Sequence, residues 1–277
     1  MGGAGKVRQV GLGADLRQAR KKSQMSTRSV AERLGISHTS VARTEQGARI
    51  PEVTEVIALC ALYGITGHKR DQFIERVNDS DGSTAWLATG PATAQQITSL
   101  VALERQAVTI TDVSLNLVPG LVQTPEYARE LIGTGPDEEW LLSTRLARQA
   151  LLTKPGAPTV RFIVDESALR RLIGGASVMR DQLDHLLRSR SKSNVAVQVI
   201  PRSVGAHPGL DGSFVMLTYP DREPHVYIEA RRVGLFLTRP QDVEPFADGI
   251  EEIDMNLLGE ERSAELITEI KEGLPDE

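Results

Sequence analysis

The chain has 277 residues, of which 40% are hydrophobic and 25% are charged. This balance supplies a packed core and excludes a disordered or fibrous protein. No run of about 18 apolar residues occurs, so the sequence predicts no membrane-spanning helix. Cys60 is the single cysteine, which excludes internal disulfides and cysteine-based metal sites. Residues 1–9 contain no apolar stretch typical of a signal peptide, so we expect a cytoplasmic protein of one large or two ordinary domains.

Charge is distributed unevenly along the chain, whose formal net charge at pH 7 is −5. Residues 1–50 hold ten lysines and arginines against three acids, a net charge of +7. Residues 51–277 hold 22 basic and 34 acidic residues, a net charge of −12. A basic segment gains free energy by displacing counterions from phosphates, so this asymmetry favours a nucleic-acid-facing end. A basic tail is the alternative that composition leaves open.

Residues 10–78 are predicted to form a domain of five short helices. Leu12, Leu16 and Ala19 recur at helical spacing and mark the first. Ser26 and Ser37 are placed as N-caps, and glycines follow the helices that they begin. The second to fifth helices are expected at 27–34, 38–46, 51–63 and 68–78.

Small and helix-breaking residues predict a linker at 79–93, followed by a second domain at 94–277. Helical patterns in that domain cover 94–104, 138–152 and 177–188. Alternating β-branched residues predict strands at 108–111, 159–164, 195–200, 213–218 and 225–229. A turn at 219–224 joins the last two strands as a hairpin, so we expect a mixed α/β (α+β) domain with a partly antiparallel sheet.

The strongest motif covers residues 26–51. Ala31 is small where two helices would cross, Gly35 supplies the turn, and apolar residues that lock a helix-turn-helix follow at the required spacing: Val30, Leu34, Ile36 and Val41. With Glu45, Gly47 and Pro51, the segment resembles the Cro/repressor type of helix-turn-helix, also called the Xre family.

The resemblance implies that the helix from His38 lies in the major groove of double-stranded DNA. His38, Thr39 and Arg43 would then read base edges, and Arg43 could pair bidentately with guanine. The alternatives are a solvated helix face for Arg43 and a capping role for His38. The same resemblance places three further side chains at phosphates: Thr27, Arg28 and Ser40.

Two charged residues near the end of the motif have other expected roles. Glu45 is acidic beside a phosphate surface, so we expect it to order its own helix end by pairing with an arginine. Arg49 is a candidate for that partner or for a contact with the DNA backbone.

The C-terminal part of the chain also contains six distinctive sequence segments. They lie at 118–129, 145–149, 165–170, 197–201, 205–214 and 226–229. In this order they resemble actinobacterial Xre-type regulators called antitoxin-like Scr proteins, whose C-terminal part is a domain of unknown function. Such regulators are typically encoded beside a small acidic protein. The resemblance therefore implies a transcriptional regulator that acts with this partner, and it supplies no ligand or activity for the C-terminal domain.

Catalysis by the C-terminal domain is not expected. His207, Asp211, Ser213 and Glu229 are residue types that enzymes use, but no nucleophile elbow, P-loop or dinucleotide fingerprint accompanies them. Asp165 is well placed to cap the helix that follows it. We expect no cofactor and no metal, because His185, His207 and His225 lack ligand-like spacing.

Sensing or partner binding is the expected role instead. His207, Asp211 and Glu229 mark a possible ligand or partner cleft, in which Glu229 orients a ligand or holds an arginine. The loop 205–213 could act as its lid. The rival hypothesis is an enzyme or metabolite-binding protein whose helix-turn-helix serves only for interaction. For the regulator we expect a homodimer on an inverted repeat.

Overall fold

The computed structural model describes residues 3–78, 85–88, 93–135, 137–230 and 233–276. The chain divides into two compact units. The first comprises Met1–Gln106 and Ala230–Arg239, and the second comprises Ala107–Glu229 and Pro240–Glu277. A helical N-terminal region precedes a mixed α/β region, which confirms the predicted fold class. In the described part of the chain, no helix is long and apolar enough to cross a membrane.

The first unit begins with the five expected helices. They are α1 (Gly3–Lys22), α2 (Thr27–Leu34), α3 (His38–Glu45), α4 (Val53–Leu62) and α5 (Gly67–Asn78). Their apolar faces share one core, which contains Leu12, Leu16, Val30, Val41, Val56, Leu59, Cys60 and Phe73. The helix predicted from Pro51 begins two residues later, because the amide of Glu52 is capped by the side chain of Glu55.

Three further elements belong to the first unit. Strand β1 (Ala85–Ala88) lies inside the predicted linker, whose residues 79–84 and 89–92 are outside the described ranges. Helix α6 (Thr93–Glu104) packs on α1. Strand β7 (Val233–Leu237) comes from much later in the chain and pairs antiparallel with β1.

In the second unit, five strands are hydrogen-bonded in the order β6-β5-β2-β3-β4. Its strands are β2 (Thr109–Ser114), β3 (Thr159–Asp165), β4 (Val195–Ile200), β5 (Phe214–Thr218) and β6 (His225–Ala230). Strands β2, β3 and β4 are mutually parallel, whereas β5 is antiparallel to both β2 and β6. The predicted hairpin and the partly antiparallel sheet are therefore confirmed.

Six helices complete the second unit. They are α7 (Pro125–Ile132), α8 (Glu138–Arg148), α9 (Glu166–Arg170), α10 (Gly175–Ser189), α11 (Pro240–Asp254) and α12 (Glu260–Glu272). Because the parallel strands end at the same edge of the sheet, the segments after β2, β3 and β4 converge there. Strand β5 starts at this edge and β6 ends at it, which places Ser213 and Glu229 there too.

Candidate nucleic-acid interface

Local hydrogen bonds fix the two helices of the motif. The Ser26 side chain accepts from the Ser29 amide at 3.0 Å and caps α2. Gly35 ends α2 with φ of 66°, in the left-handed region that favours glycine. Ser37 then caps α3 by accepting from the Ser40 amide at 3.0 Å. Both predicted N-caps and the turn glycine are confirmed.

Helix α1 packs closely against the C-terminal end of α3. A Cβ on Gly13 would lie 2.3 Å from the Thr44 carbonyl oxygen, so a side chain at this position is excluded. Gly47, at φ of 67°, lies equally close to Val10, because an added Cβ would come within 2.6 Å of the Val10 Cα. The spacing of α1 and α3 thus depends on two glycines, a constraint that no local sequence pattern reveals.

Glu45 pairs with an arginine, as expected, but the partner is Arg20 of α1. The two carboxylate oxygens accept from Arg20 Nε at 2.6 Å and from Nη2 at 2.9 Å. Arg20 also donates to the Met25 carbonyl at 2.7 Å. Both side chains are almost enclosed, with 12% and 6% of their surfaces exposed. Glu45 raises the pKa of Arg20 through this hydrogen bond, and the pair ties α3 to α1.

Arg49 pairs with Glu55 of α4, and not with Glu45. Its Nη1 and Nη2 donate to the two Glu55 oxygens at 2.8 and 2.7 Å, and Nη1 also donates to Thr44 Oγ1 at 3.1 Å. The Arg49 hydrogen bond lowers the pKa of Glu55. The guanidinium therefore joins the end of α3 to the start of α4. A contact of Arg49 with the DNA backbone stays a prediction.

The remaining candidates lie on one helix-turn-helix surface. His38 and Thr39 are exposed in the first turn of α3, and Arg43 is exposed one turn further on. Among the described residues, no ion pair engages the Arg43 side chain. Arg28 is exposed at the start of α2. The last two candidates, Thr27 and Ser40, are half-buried, and Ser40 Oγ lies 2.9 Å from Ser37 Oγ.

In the second unit, the predicted cleft residues contact different groups. His207 Nε2 lies 3.3 Å from Asp165 Oδ2. The other Asp165 oxygen accepts from the Ser167 amide at 2.8 Å, so Asp165 caps α9 as expected. Only 4% of the His207 side chain is exposed, and its Nδ1 has no hydrogen-bond partner in the described ranges. This pair fixes the loop 205–213, which contains one short 3-10 helix at Pro208–Asp211, to the sheet edge.

Asp211 and Glu229 are both exposed, and no described contact joins either of them to His207. Glu229 is close enough to Arg145 of α8 for its charge to act on the guanidinium. That Glu229 orients a ligand or holds an arginine stays a prediction. The other two histidines are packed in the unit. Burial lowers the pKa of His185, and the buried His225 ring meets Tyr219 edge-on. Within the described residues, no cluster of three metal-ligating side chains occurs.

Comparison with known protein families finds two matches along the chain. Residues 12–73 match a helix-turn-helix domain model, which supports a DNA-binding regulator. No curated protein matches the chain. Residues 97–269, more than half of the chain, match the model described as domain of unknown function DUF5753. The protein therefore belongs to the DUF5753 family and carries a helix-turn-helix domain before that domain.

Proposed function

We propose that this protein is a sequence-specific transcriptional regulator of the Xre type, which docks α3 into the major groove of its operator. The observation that carries the proposal is the contrast between three arginines around α3. Arg20 and Arg49 are held by Glu45 and Glu55, whereas the Arg43 guanidinium is exposed on α3. An exposed guanidinium one turn into a recognition helix suits bidentate pairing with guanine.

The other exposed side chains fit the same docking. His38 and Thr39 would meet base edges from the first turn of α3. Arg28, together with the start of α2, would face phosphates, because helix N-termini and guanidinium groups both attract anions. The net charge of +7 over residues 1–50 supports this orientation by steering the domain to DNA.

For the C-terminal domain we propose binding in place of catalysis. The Asp165 and His207 side chains are 12% and 4% exposed, and both are occupied in fixing loops, which favours a structural task. The resemblance to antitoxin-like regulators supports a small acidic co-encoded protein as partner, or an effector that acts through this domain. Either species alters DNA affinity only if it binds the DNA-competent and incompetent arrangements differently.

The test begins with selection of an operator from random duplexes by the full chain. We expect affinity for the selected duplex to fall steeply with salt, because several phosphate contacts release counterions. Arg43→Ala should lose about 1–3 kcal/mol on the operator and little on a scrambled duplex. Arg33→Ala is the matched control: this exposed arginine lies in the last turn of α2 and should change neither affinity.

Equal losses on both duplexes for Arg43→Ala would show a phosphate contact without base reading. No selected sequence and no salt dependence would refute DNA binding and favour the interaction-module hypothesis. The partner role is tested separately, by operator affinity with and without the protein of the neighbouring gene. An unchanged constant at saturating partner would refute partner-linked regulation.

A further inference from the structure

The loop at residues 118–124, which follows β2, is fixed by buried side chains. The Gln123 amide donates to the Val118 carbonyl at 2.7 Å, and Tyr127 Oη accepts from the Val118 amide at 3.1 Å. Gln182 of α10 bridges the loop by accepting from the Thr124 amide and donating to the Val122 carbonyl, each at 2.8 Å. Gln123, Tyr127 and Gln182 are all buried, so this loop is a rigid platform.

Arg145 of α8 extends its guanidinium onto this platform. Its Nη1 donates to Gln123 Oε1 at 2.9 Å, which is its single hydrogen bond within the described residues. The orientation of the Gln123 side chain is itself fixed, because its Nε2 donates to the Val118 carbonyl oxygen. The Gln123 backbone is held as well, since Gln149 Nε2 donates to its main-chain carbonyl oxygen at 2.6 Å. The geometry of Arg145 is therefore preorganised. Its guanidinium group has further N–H donors besides the one whose hydrogen bond Gln123 Oε1 accepts.

The charge of Arg145 is poorly compensated. Burial lowers the pKa of its guanidinium, and the nearby cation of Arg148 lowers it further, against the attraction of Glu229. Other arginines of the second unit meet carboxylates directly: Arg161 pairs with Asp254, and Arg170 pairs with Glu166. Arg145 instead meets a neutral amide. No carboxylate of the described residues contacts Arg145, and a partly desolvated cation in such a setting is typical of functional sites.

We propose that Arg145 binds a small oxyanion, a carboxylate or phosphate group, on the platform at 118–124. The planar guanidinium group matches two oxygens of such a group. The ligand would supply the negative charge that the neutral Gln123 amide does not provide. The exposed carboxylate of Glu229 acts on the same guanidinium and would oppose anion binding. This site gives the proposed effector a chemical class, and it does not depend on DNA binding.

The test measures thermal unfolding of the full chain without DNA, in sodium phosphate and in sodium acetate, against sodium chloride at equal ionic strength. A bound anion stabilises the folded state by mass action, so its midpoint concentration reports affinity. Phosphate also stabilises proteins by exclusion from their surfaces, and all variants share that background. We expect saturable stabilisation of the wild type by at least one of the two anions. The responding anion identifies the ligand as carboxylate or phosphate.

Three variants give the sign of the effect. Arg145→Gln should weaken the anion response at least about tenfold, since a charge-assisted fork is lost. Glu229→Gln should tighten it severalfold, and its exposed position leaves folding intact. Arg129→Gln removes an exposed arginine from the neighbouring helix α7 and should behave as the wild type.

A wild type without saturable stabilisation, or an Arg145→Gln response equal to that of the wild type, would overturn the proposal. If Arg145→Gln fails to fold, Glu229→Gln decides, because an anion affinity unchanged from the wild type would then refute the site. Failure here leaves the DNA-binding proposal standing, since no duplex is present in the assay.

Discussion

Around α3, the role of each arginine depends on whether a carboxylate pairs with its guanidinium group. Arg20 meets Glu45 and Arg49 meets Glu55, so two of three guanidinium groups are used for architecture. Sequence spacing did not identify Arg20, because it lies 25 residues from Glu45 and meets it only when α1 packs on α3. The same limit hid Arg145, whose contact with Gln123 depends on how α8 meets the 118–124 loop.

Glu45→Gln should destabilise the first unit strongly. The substitution keeps the size of the side chain but leaves Arg20 charged, enclosed and without its carboxylate. Breaking one side of a buried pair costs about 3 kcal/mol or more. Urea unfolding of the full chain measures the loss, and Glu32→Gln on the exposed face of α2 is the matched control. A Glu45→Gln variant as stable as the control would show that the pair contributes no net stability.

The Arg49–Glu55 pair should make stability depend on pH in the acid range. The folded protein holds the pKa of Glu55 below its ordinary value. Its contribution is therefore present above the unfolded pKa and is lost as pH falls through the lowered, folded pKa. We expect wild type to exceed Glu55→Gln in stability at about pH 7 and to lose that advantage progressively as the pH falls below the ordinary pKa of a glutamate. Denaturant unfolding across this range tests it, and an advantage independent of pH would contradict the assignment.

The helices and strands that could be predicted from the sequence are those marked by a local pattern of apolar and polar residues. The strands at 195–200 and 225–229 agree with β4 and β6 to within one residue, because alternating apolar residues mark a half-buried strand. Strands β1 and β7 were not predicted. Each is short, with four and five residues, and each is completed by a partner that lies about 150 residues away in sequence, which no local pattern reveals.

Gly13→Ala tests the approach of α1 to α3. In a free helix this change would stabilise by about 1 kcal/mol through helix propensity. Here the added Cβ would lie 2.3 Å from the Thr44 oxygen, so the helices must separate and the clash outweighs the gain. We expect a net loss of about 2 kcal/mol in unfolding experiments, of the size of other overpacking defects. Operator affinity should fall with it, since α3 is displaced.

Gly135→Ala is the control for this change, because an added Cβ there meets nothing within 4 Å. A Gly13→Ala variant that is more stable than wild type would show that α1 accommodates the methyl group without moving α3.

At the scale of the whole molecule, we expect a homodimer on an inverted repeat. One recognition helix covers only a few base pairs, and a two-fold axis doubles the contacts. Two N-terminal segments of charge +7 repel each other, so the acidic C-terminal part is the expected contact. Light scattering at micromolar concentration and footprinting test this. A monomer that protects one unpaired half-site would contradict it.

Strand β7 has a consequence for protein engineering. Residues 230–239 group with the first unit although the chain on both sides belongs to the second, so the chain passes between the units three times. A chimera made by one cut after Gln106, the end of the first segment of this unit, would separate β1 from its partner β7. Transplanting the whole first unit into another regulator therefore requires two grafts, Met1–Gln106 and Ala230–Arg239. Under the proposed docking of α3, substitutions on that helix alone are the simpler route to a new DNA specificity.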